Sequence, residues 1–321
     1  MITRRASFAL PTLLAMPALA QGAFPQRPIT LYIPFAAGGP TDMIARLVAE
    51  GMSRDLGQPV AAENLTGAGG TIAASRVAQS RPDGYTLLLH HIGLASAATL
   101  YRRLPFDIQR GLAPLGVVSN TGMTLVARPD FPATDLAGYL AVIRERGDVL
   151  NLGHSGLGGS NQLCAMLLQQ AAGAGVTSVV FRGSAPAITE LMAGRLDITC
   201  DQATVTAPFL RDNRIRGYAV TTPERIPGLE LPTTAELGVP LNMSAWHGLY
   251  AAAGTPPEIQ QRLAQAIRAA LHEERLKARF AETFTTIATD AEANPAYHTA
   301  FLTSEIDRLR PLIVAAGQFA D

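Results

Sequence analysis

Lysine and long basic segments are almost absent from this chain of 321 residues. Lys277 is the single lysine, and no G-x-x-x-x-G stretch precedes it. This excludes a P-loop nucleotide site, because such a site needs a phosphate-binding lysine. The 26 basic and 26 acidic side chains balance and form no basic block, so we expect no nucleic-acid partner.

The chain has two cysteines, Cys164 and Cys200, which do not form a C-x-x-C motif and are too few for a zinc site. We expect Cys164 on a helix and Cys200 at the end of a strand, both as small buried apolar side chains. An oxidising compartment would also permit a disulfide between them, and the sequence leaves this alternative open.

Long apolar runs are missing except at the N-terminus. There, Arg4 and Arg5 precede an apolar run at residues 6–19, which is shorter than the roughly 20 residues of a membrane span. A small-x-small pattern follows at residues 18–20. This arrangement is typical of an export signal peptide, residues 1–20, cleaved after Ala20. We therefore expect the mature protein in the periplasm, exported by the general or the twin-arginine route.

Strand-like and helix-like patterns alternate along the mature chain. Short apolar runs rich in β-branched residues predict strands at residues 29–33, 59–64, 85–89, 114–118, 123–127, 149–153, 177–181, 196–200, 216–220 and 243–251. Helical spacing after the first strand predicts a helix that ends at Gly57, and the chain from Pro256 onward is almost entirely helical. The alternation predicts an α/β fold with mostly parallel sheets flanked by helices.

The mature chain of about 300 residues is too long for one typical core, so we expect two lobes. If the helical tail packs on the first unit, residues 21–122 and 224–321 form lobe 1 and residues 123–223 form lobe 2. The chain would then cross between the lobes twice, which predicts a hinge and a cleft.

Several glycine-rich stretches come close to known catalytic or cofactor motifs. Residues 67–72 and 156–161 both fail the G-x-G-x-x-G fingerprint at the last position, so we expect no nucleotide cofactor, and we expect no metal. Residues 153–157 begin like the nucleophile elbow G-x-S-x-G but end in Leu157. A secreted acyl hydrolase that uses Ser155, with His247 as its base, is the alternative function.

Three loops of the same design join a strand to a helix. They are residues 33–42, 152–161 and 181–187, and each places glycines and small hydroxyl residues at the start of a helix. We expect Ser160 or Asn161 to cap the second helix and Ser184 the third. Free N–H groups and helix dipoles at the carboxyl ends of strands predict an anion site. Because Arg182 is the one adjacent cation, a carboxylate suits this site better than a phosphate.

Two adjacent histidines, His90 and His91, resemble metal ligands at first sight. Successive side chains of a strand point to opposite faces, so both could bind one ion only if the strand had already ended. We therefore expect one of them to face the cleft.

The sequence resembles the solute-binding receptors of tripartite tricarboxylate transporters, also called the Bug family, over almost the whole mature chain. The resemblance is carried by the stretches ITLYIPFAAGGPTDMIARL (29–47), LYRRLPFD (100–107), FRGSAPAITELMAGRLDITCDQ (181–202) and SAWHGLYAAAGTPPEI (244–259). It implies a two-lobed periplasmic binding protein fold of type II, which closes on a small organic acid like a Venus flytrap. It also implies that the protein is not an enzyme and delivers its ligand to integral membrane permease subunits.

The resemblance implies that two loops, residues 35–42 and 155–161, hold the carboxylate, largely through backbone N–H groups and bridging waters. It also implies that the 181–187 loop and Asp201 complete the cleft. The residues predicted to bind ligand are Phe35, Ala36, Gly38, Gly39, Thr41, Asp42, His91, Ser155, Gly159, Ser160, Asn161, Arg182, Gly183, Ser184 and Asp201. Gly38 and Gly39 are expected to adopt positive φ so that the backbone can approach the ligand. Asp42 is expected to face the first helical turn, or to accept hydrogen bonds from ordered water, rather than to touch the ligand directly.

The sequence departs from the usual family pattern at positions where the distal part of a ligand would lie. Arg182 stands where lysine is common, and residues 91–93 replace small hydroxyl residues. The first loop reads AAGG where APGG is frequent. We expect a monomer that binds a monocarboxylate or a dicarboxylate, aromatic acids included. The particular acid and the particular permease do not follow from the sequence.

Overall fold

The structure is a computed structural model that describes residues 24–317, 319 and 320; the predicted signal peptide lies outside the described residues. Within them the chain forms ten strands: β1 (Ile29–Ile33), β2 (Val60–Asn64), β3 (Thr86–His91), β4 (Leu112–Ala127), β5 (Asn151–His154), β6 (Thr177–Val180), β7 (Ile198–Gln202), β8 (Arg216–Val220), β9 (Ser244–Ala252) and β10 (Thr285–Ile287). The same residues form eleven helices: α1 (Pro40–Leu56), α2 (Thr71–Ala78), α3 (Gly93–Leu100), α4 (Ile108–Gly111), α5 (Leu136–Arg146), α6 (Ser160–Ala172), α7 (Ser184–Met192), α8 (Ala203–Arg211), α9 (Pro257–Leu271), α10 (Glu274–Glu282) and α11 (Pro295–Ala316).

The strands form one continuous sheet in the order β2-β1-β3-β9-β4-β7-β5-β6, and β8 and β10 also pair with β4. The predicted α/β fold is confirmed. Strands β1, β2 and β3 are parallel, as are β5, β6 and β7. The sheet is mixed rather than mostly parallel, because β9 runs against both β3 and β4, and β4 runs against β7, β8 and β10.

Strand β4 changes partners along its length. Residues 112–122 pair with β9, whereas residues 123–127 pair with β7 and β8. The predicted strands at 114–118 and 123–127 are therefore two parts of one strand. The polar stretch between them, residues 119–122, interrupts the apolar pattern in the sequence. It stays extended because it pairs with β9 on one side and with β10 on the other.

Helices cover both faces of the part of the sheet that contains β1 and β3. Leu87 and Leu89 point to one face and pack in the cluster that includes α1 and α9, whereas Leu88 packs in the cluster that includes α3 and α11. The amphipathic helix α1 buries its residues at helical spacing and ends at Gly57, whose φ of 67° closes the helix as predicted.

Of the C-terminal helices, α9 packs on α1 and α11 packs on α3, which is the arrangement that the two-lobe prediction took as its condition. Gly51 of α1 faces Ala270 of α9 so closely that a Cβ on Gly51 would lie 2.5 Å from the Ala270 Cβ. Helix α11 packs against α3 and β4. The tail contains one strand that the sequence did not predict, β10. None of the described helices combines the length and the apolarity that a bilayer crossing needs.

Cys164 lies in α6 and Cys200 in β7, and both side chains are fully buried, as predicted. They form a disulfide, so the expectation of two unpaired apolar side chains is wrong. Helix α6 lies directly over β7 and brings the two Cα atoms to 5.9 Å, a usual separation for a disulfide. The two cysteines are 36 residues apart in the sequence, and this separation does not indicate that they are in contact.

Candidate functional site

A cavity of about 210 Å³ lies where five strands end and helices begin. Its lining comes from the β1–α1, β3–α3, β5–α6, β6–α7 and β7–α8 junctions, which are at the carboxyl ends of their strands. This is the edge at which parallel α/β sheets bind ligands. A larger hollow of about 810 Å³ is lined by α6, α11 and residues 221–242 instead. We therefore take the smaller cavity as the candidate site.

Most of the predicted site residues lie together around this cavity. The lining includes Phe35, Ala36, Gly38, Gly39, Thr41, His91, Ser155, Ser160, Asn161, Arg182, Gly183 and Ser184. Asp42, Gly159 and Asp201 lie behind the lining. Five lining residues were not predicted: Ala37, Pro40, Ala185, Pro186 and Gln202. The first four lie within the predicted loops, and Gln202 is the last residue of its strand, a position that the rule for strand ends could have selected.

Three helices, α1, α6 and α7, point their N-termini at the cavity. Their N-cap residues are Gly39, Gly159 and Gly183, and no side chain caps any of the three. The predicted caps are therefore wrong by one or two positions, because Ser160 and Ser184 are the first residues of their helices. By contrast, the side chain of Asp135 caps α5. Uncapped helix N-termini leave N–H groups available for an anion.

The first loop owes its shape to Gly38 and Asp42. Gly38 has a φ of 81°, as expected, whereas Gly39 has a φ of −81°, so the expectation of positive φ at Gly39 is wrong. The carboxylate of Asp42 accepts hydrogen bonds from Gly38 N, Arg46 Nε and Asn64 Nδ2 at 2.9–3.1 Å. Burial would raise the pKa of Asp42, but these hydrogen bonds hold it below its ordinary value. Asp42 thus shapes the loop from behind.

A buried polar network supports the opposite wall. The side-chain oxygen of Asn161 accepts from Ser155 N at 3.0 Å and from Ser155 Oγ at 2.7 Å. The Asn161 amide donates to Asp201, and the Gln202 amide donates to Ser160 Oγ, both at 3.2 Å. Burial raises the pKa of Asp201, although hydrogen bonds from Ser184, Gln202 and Asn161 oppose this. Asp201 therefore positions two loops without lining the cavity.

Of the adjacent histidines, His91 lines the cavity and His90 does not. The His91 ring stacks on Phe35 with 4.5 Å between ring centroids. Its Nδ1 accepts a hydrogen bond from Gly93 N at 2.8 Å. Burial lowers the pKa of His91 well below its usual value, so the ring is neutral and carries its proton on Nε2.

His247 is buried beneath the first turn of α1, away from the position that a hydrolase would require. Its Nε2 lies 3.2 Å from Thr41 Oγ1, and its Nδ1 lies 3.1 Å from Ser119 Oγ. The Ser155 hydroxyl instead donates to Asn161. The two residues of the alternative acyl hydrolase therefore do not form a nucleophile–base pair.

The chain matches the family described as Tripartite tricarboxylate transporter family receptor, TctC, over residues 44–317. It belongs to this family. Among solved structures, the periplasmic binding protein BugD is 34% identical, with a TM-score of 0.87 and coverage of 93% of this chain and 100% of BugD.

Two further solved structures resemble this TctC-family chain and contain ligands. MatC from Rhodopseudomonas palustris with bound malate is 34% identical, with a TM-score of 0.86 and coverage of 90% of this chain and 100% of MatC. Rpa4515 of R. palustris with adipate is 32% identical, with a TM-score of 0.84 and coverage of 92% and 98%. The predicted periplasmic binding protein fold and the predicted membership of a solute-binding receptor family are confirmed.

Arg182 lines the cavity, and none of the residues that the structure describes neutralises its charge. Among the described residues, it forms no ion pair or side-chain hydrogen bond. The nearby acid Glu190, which could have neutralised it, pairs with Arg195. The positive charge of Arg182 is therefore available to a ligand.

Proposed function

We propose that this protein captures a small organic dicarboxylate and delivers it to the membrane permease of a tripartite tricarboxylate-type transporter. The observation that carries this proposal is the convergence of three uncapped helix N-termini and an unpaired arginine on one small cavity. The helix ends suit one carboxylate, and Arg182 suits a second acidic group. The malate of MatC and the adipate of Rpa4515 are both dicarboxylates.

We also propose that the cavity lies between two lobes, residues 21–122 with 224–321 and residues 123–223, and that export places the protein in the periplasm as a monomer. The change of partners along β4 after residue 122 supports this division. Eight lining residues precede residue 123 and nine follow it. Ligand would close the lobes as rigid bodies. Small-angle scattering is expected to show a smaller radius of gyration at saturating ligand, and an unchanged radius would contradict a hinge.

The substrate class is tested by a thermal-shift and calorimetric screen of the mature protein. The panel contains acetate, benzoate, succinate, malate, adipate and citrate. At a hundredfold excess over Kd, a true ligand stabilises the protein by about 2.7 kcal/mol. We expect dicarboxylates to give the largest shifts. If the folded protein responds to none of these acids, carboxylate capture is the wrong function. Hydrolysis of a generic ester would instead favour the acyl hydrolase.

Arg182→Ala is expected to weaken the binding of dicarboxylates by about ten- to a hundredfold, because a hydrogen bond to a charged group contributes about 1.5–3 kcal/mol. Monocarboxylates, held by the helix ends, should lose much less. Arg195→Ala is the matched control, since Arg195 is close in sequence but pairs with Glu190 on the surface. Calorimetric titration with malate and acetate measures the loss of affinity for each class of acid. Equal losses for the two acids would remove Arg182 from the role of second anion contact.

A further inference from the structure

Thr41, His247 and Ser119 form a buried chain of hydrogen-bonding groups that begins at the cavity. Thr41 belongs to the first turn of α1 and lines the cavity, with 3% of its surface exposed. His247 of β9 and Ser119 of β4 are register partners and are fully buried. The imidazole lies between the two hydroxyls, 3.2 Å from Thr41 Oγ1 and 3.1 Å from Ser119 Oγ.

The imidazole is neutral, because burial lowers the pKa of His247 to about 3, with a smaller contribution from His90. A neutral ring has one N–H donor and one acceptor nitrogen, so the chain can run in either of two directions. If Nδ1 carries the proton, it donates to Ser119, and the Thr41 hydroxyl donates to Nε2. Thr41 then presents only lone pairs to the cavity, and these repel an anion.

If Nε2 carries the proton instead, the direction is reversed. The Ser119 hydroxyl donates to Nδ1, Nε2–H donates to Thr41 Oγ1, and the Thr41 hydrogen is free to point into the cavity. A carboxylate accepts hydrogen bonds and does not donate them, so it favours this second direction. Thr41 also lies at the positive end of α1, which reinforces the preference for an anion.

Resting on the proposed function, we propose that His247 and Ser119 are positioning residues that hold the Thr41 hydroxyl as a hydrogen-bond donor to the carboxylate of the ligand. They act through Thr41 and do not touch the ligand. The arrangement makes Thr41 an oriented donor, since its oxygen is anchored by Nε2–H and its hydrogen has the ligand as acceptor. The contact joins residues that are 206 positions apart in the chain.

The first test is a double-mutant cycle, measured by calorimetry with the panel acid that binds the native protein best. Thr41→Val is expected to lower affinity about tenfold, and His247→Phe somewhat less. Because His247 acts through Thr41, the double variant should bind no more weakly than Thr41→Val alone. Thr41→Ser keeps the hydroxyl and should retain most of the affinity. Independent, additive losses would overturn the proposal.

His298→Phe is the matched control. His298 is also fully buried and also contacts β9, where its Nε2 lies 3.0 Å from Tyr250 Oη, but it is not part of the cavity lining. Its loss should reduce thermal stability and leave affinity unchanged. If His298→Phe weakens binding as much as His247→Phe, the effect of His247 is general loss of packing and the proposal fails.

The second test reads the tautomer directly and does not depend on folding of a variant. In protein labelled with ¹⁵N at histidine, the ring nitrogen shifts of His247 are expected to show the Nε2–H form when the ligand is bound. A bound ring with its proton on Nδ1 would overturn the proposal. If no acid of the panel binds the native protein, it is the proposed function that fails, which the screen reveals before any variant is made.

Discussion

Acidification from pH 7 to about pH 5.5 is expected to lower the free energy of unfolding by roughly 1 kcal/mol for each deeply buried histidine, or on the order of 4 kcal/mol in total. Burial lowers the pKa of His90 to about 4, of His247 and His298 to about 3, and of His91 well below its usual value. These rings stay neutral in the folded protein, whereas the unfolded chain takes up protons below about pH 6.5. The unfolded state therefore binds more protons, and stability is lost as the pH falls.

Urea unfolding followed by circular dichroism at a series of pH values measures the slope of the free energy of unfolding against pH. His298→Gln should flatten the slope by about a fifth, even though the variant is less stable, because it removes one of five buried histidines whose pKa is lowered, His154 being the fifth. His272→Gln is the control, since His272 is exposed and bonded to Asp290 on the surface. A stability that is constant over this range would show that the buried histidines already carry protons in the folded state.

Gly69→Ala is expected to weaken ligand binding by about a hundredfold, or 2.7 kcal/mol, and to lower the stability of the unliganded protein by only about 1 kcal/mol. Gly69 precedes α2, and a Cβ at this position would overlap the carbonyl oxygen of Leu157, which precedes α6. It would also lie 2.8 Å from the hydroxyl of Tyr101, the end of a side chain in the same proposed lobe as Gly69. Gly69 and Leu157 lie in different proposed lobes. The extra methyl group would hold the lobes apart, so that ligand loses contacts to one side of the cleft.

Gly57→Ala is a closely matched control for this variant. Gly57 has a φ of 67° and Gly69 a φ of 60°, so alanine is strained to a similar degree at both positions. A Cβ on Gly57 would meet no atom within 4 Å. The two variants should therefore lose similar stability, on the order of 1 kcal/mol, and differ in affinity. If their affinities for a panel acid are the same, the contact between Gly69 and Leu157 is not made during closure.

The parts of the site that the sequence predicted are those encoded in short segments. Each of the three predicted loops joins a strand to a helix through a short segment that contains glycine. This order along the chain places the loops at the carboxyl edge of the sheet. The choice of glycine rather than serine as the N-cap is a matter of one residue, which helical periodicity does not resolve.

Contacts between distant segments could not be predicted in the same way. Cys164 and Cys200 belong to a helix and a strand that pack together because of the order of strands in the sheet. The sequence of neither segment indicates that order. The pairing of Thr41 with His247 depends on the insertion of β9 beside β3 and on the packing of α1 above it. β10 was missed because three residues within a helical tail form a strand only through β4.

The position of β9 between β3 and β4 also constrains the order in which the chain can fold. Residues 86–91 and 112–122 are synthesised early, but the strand that joins them is complete only at residue 252. Until then both carry an unpaired edge, and such edges promote association between chains. The sheet around β3 and β4 is therefore completed only after most of the polypeptide has been synthesised. A chain assembled in this way folds late, so its early strands stay open to other chains during most of its synthesis.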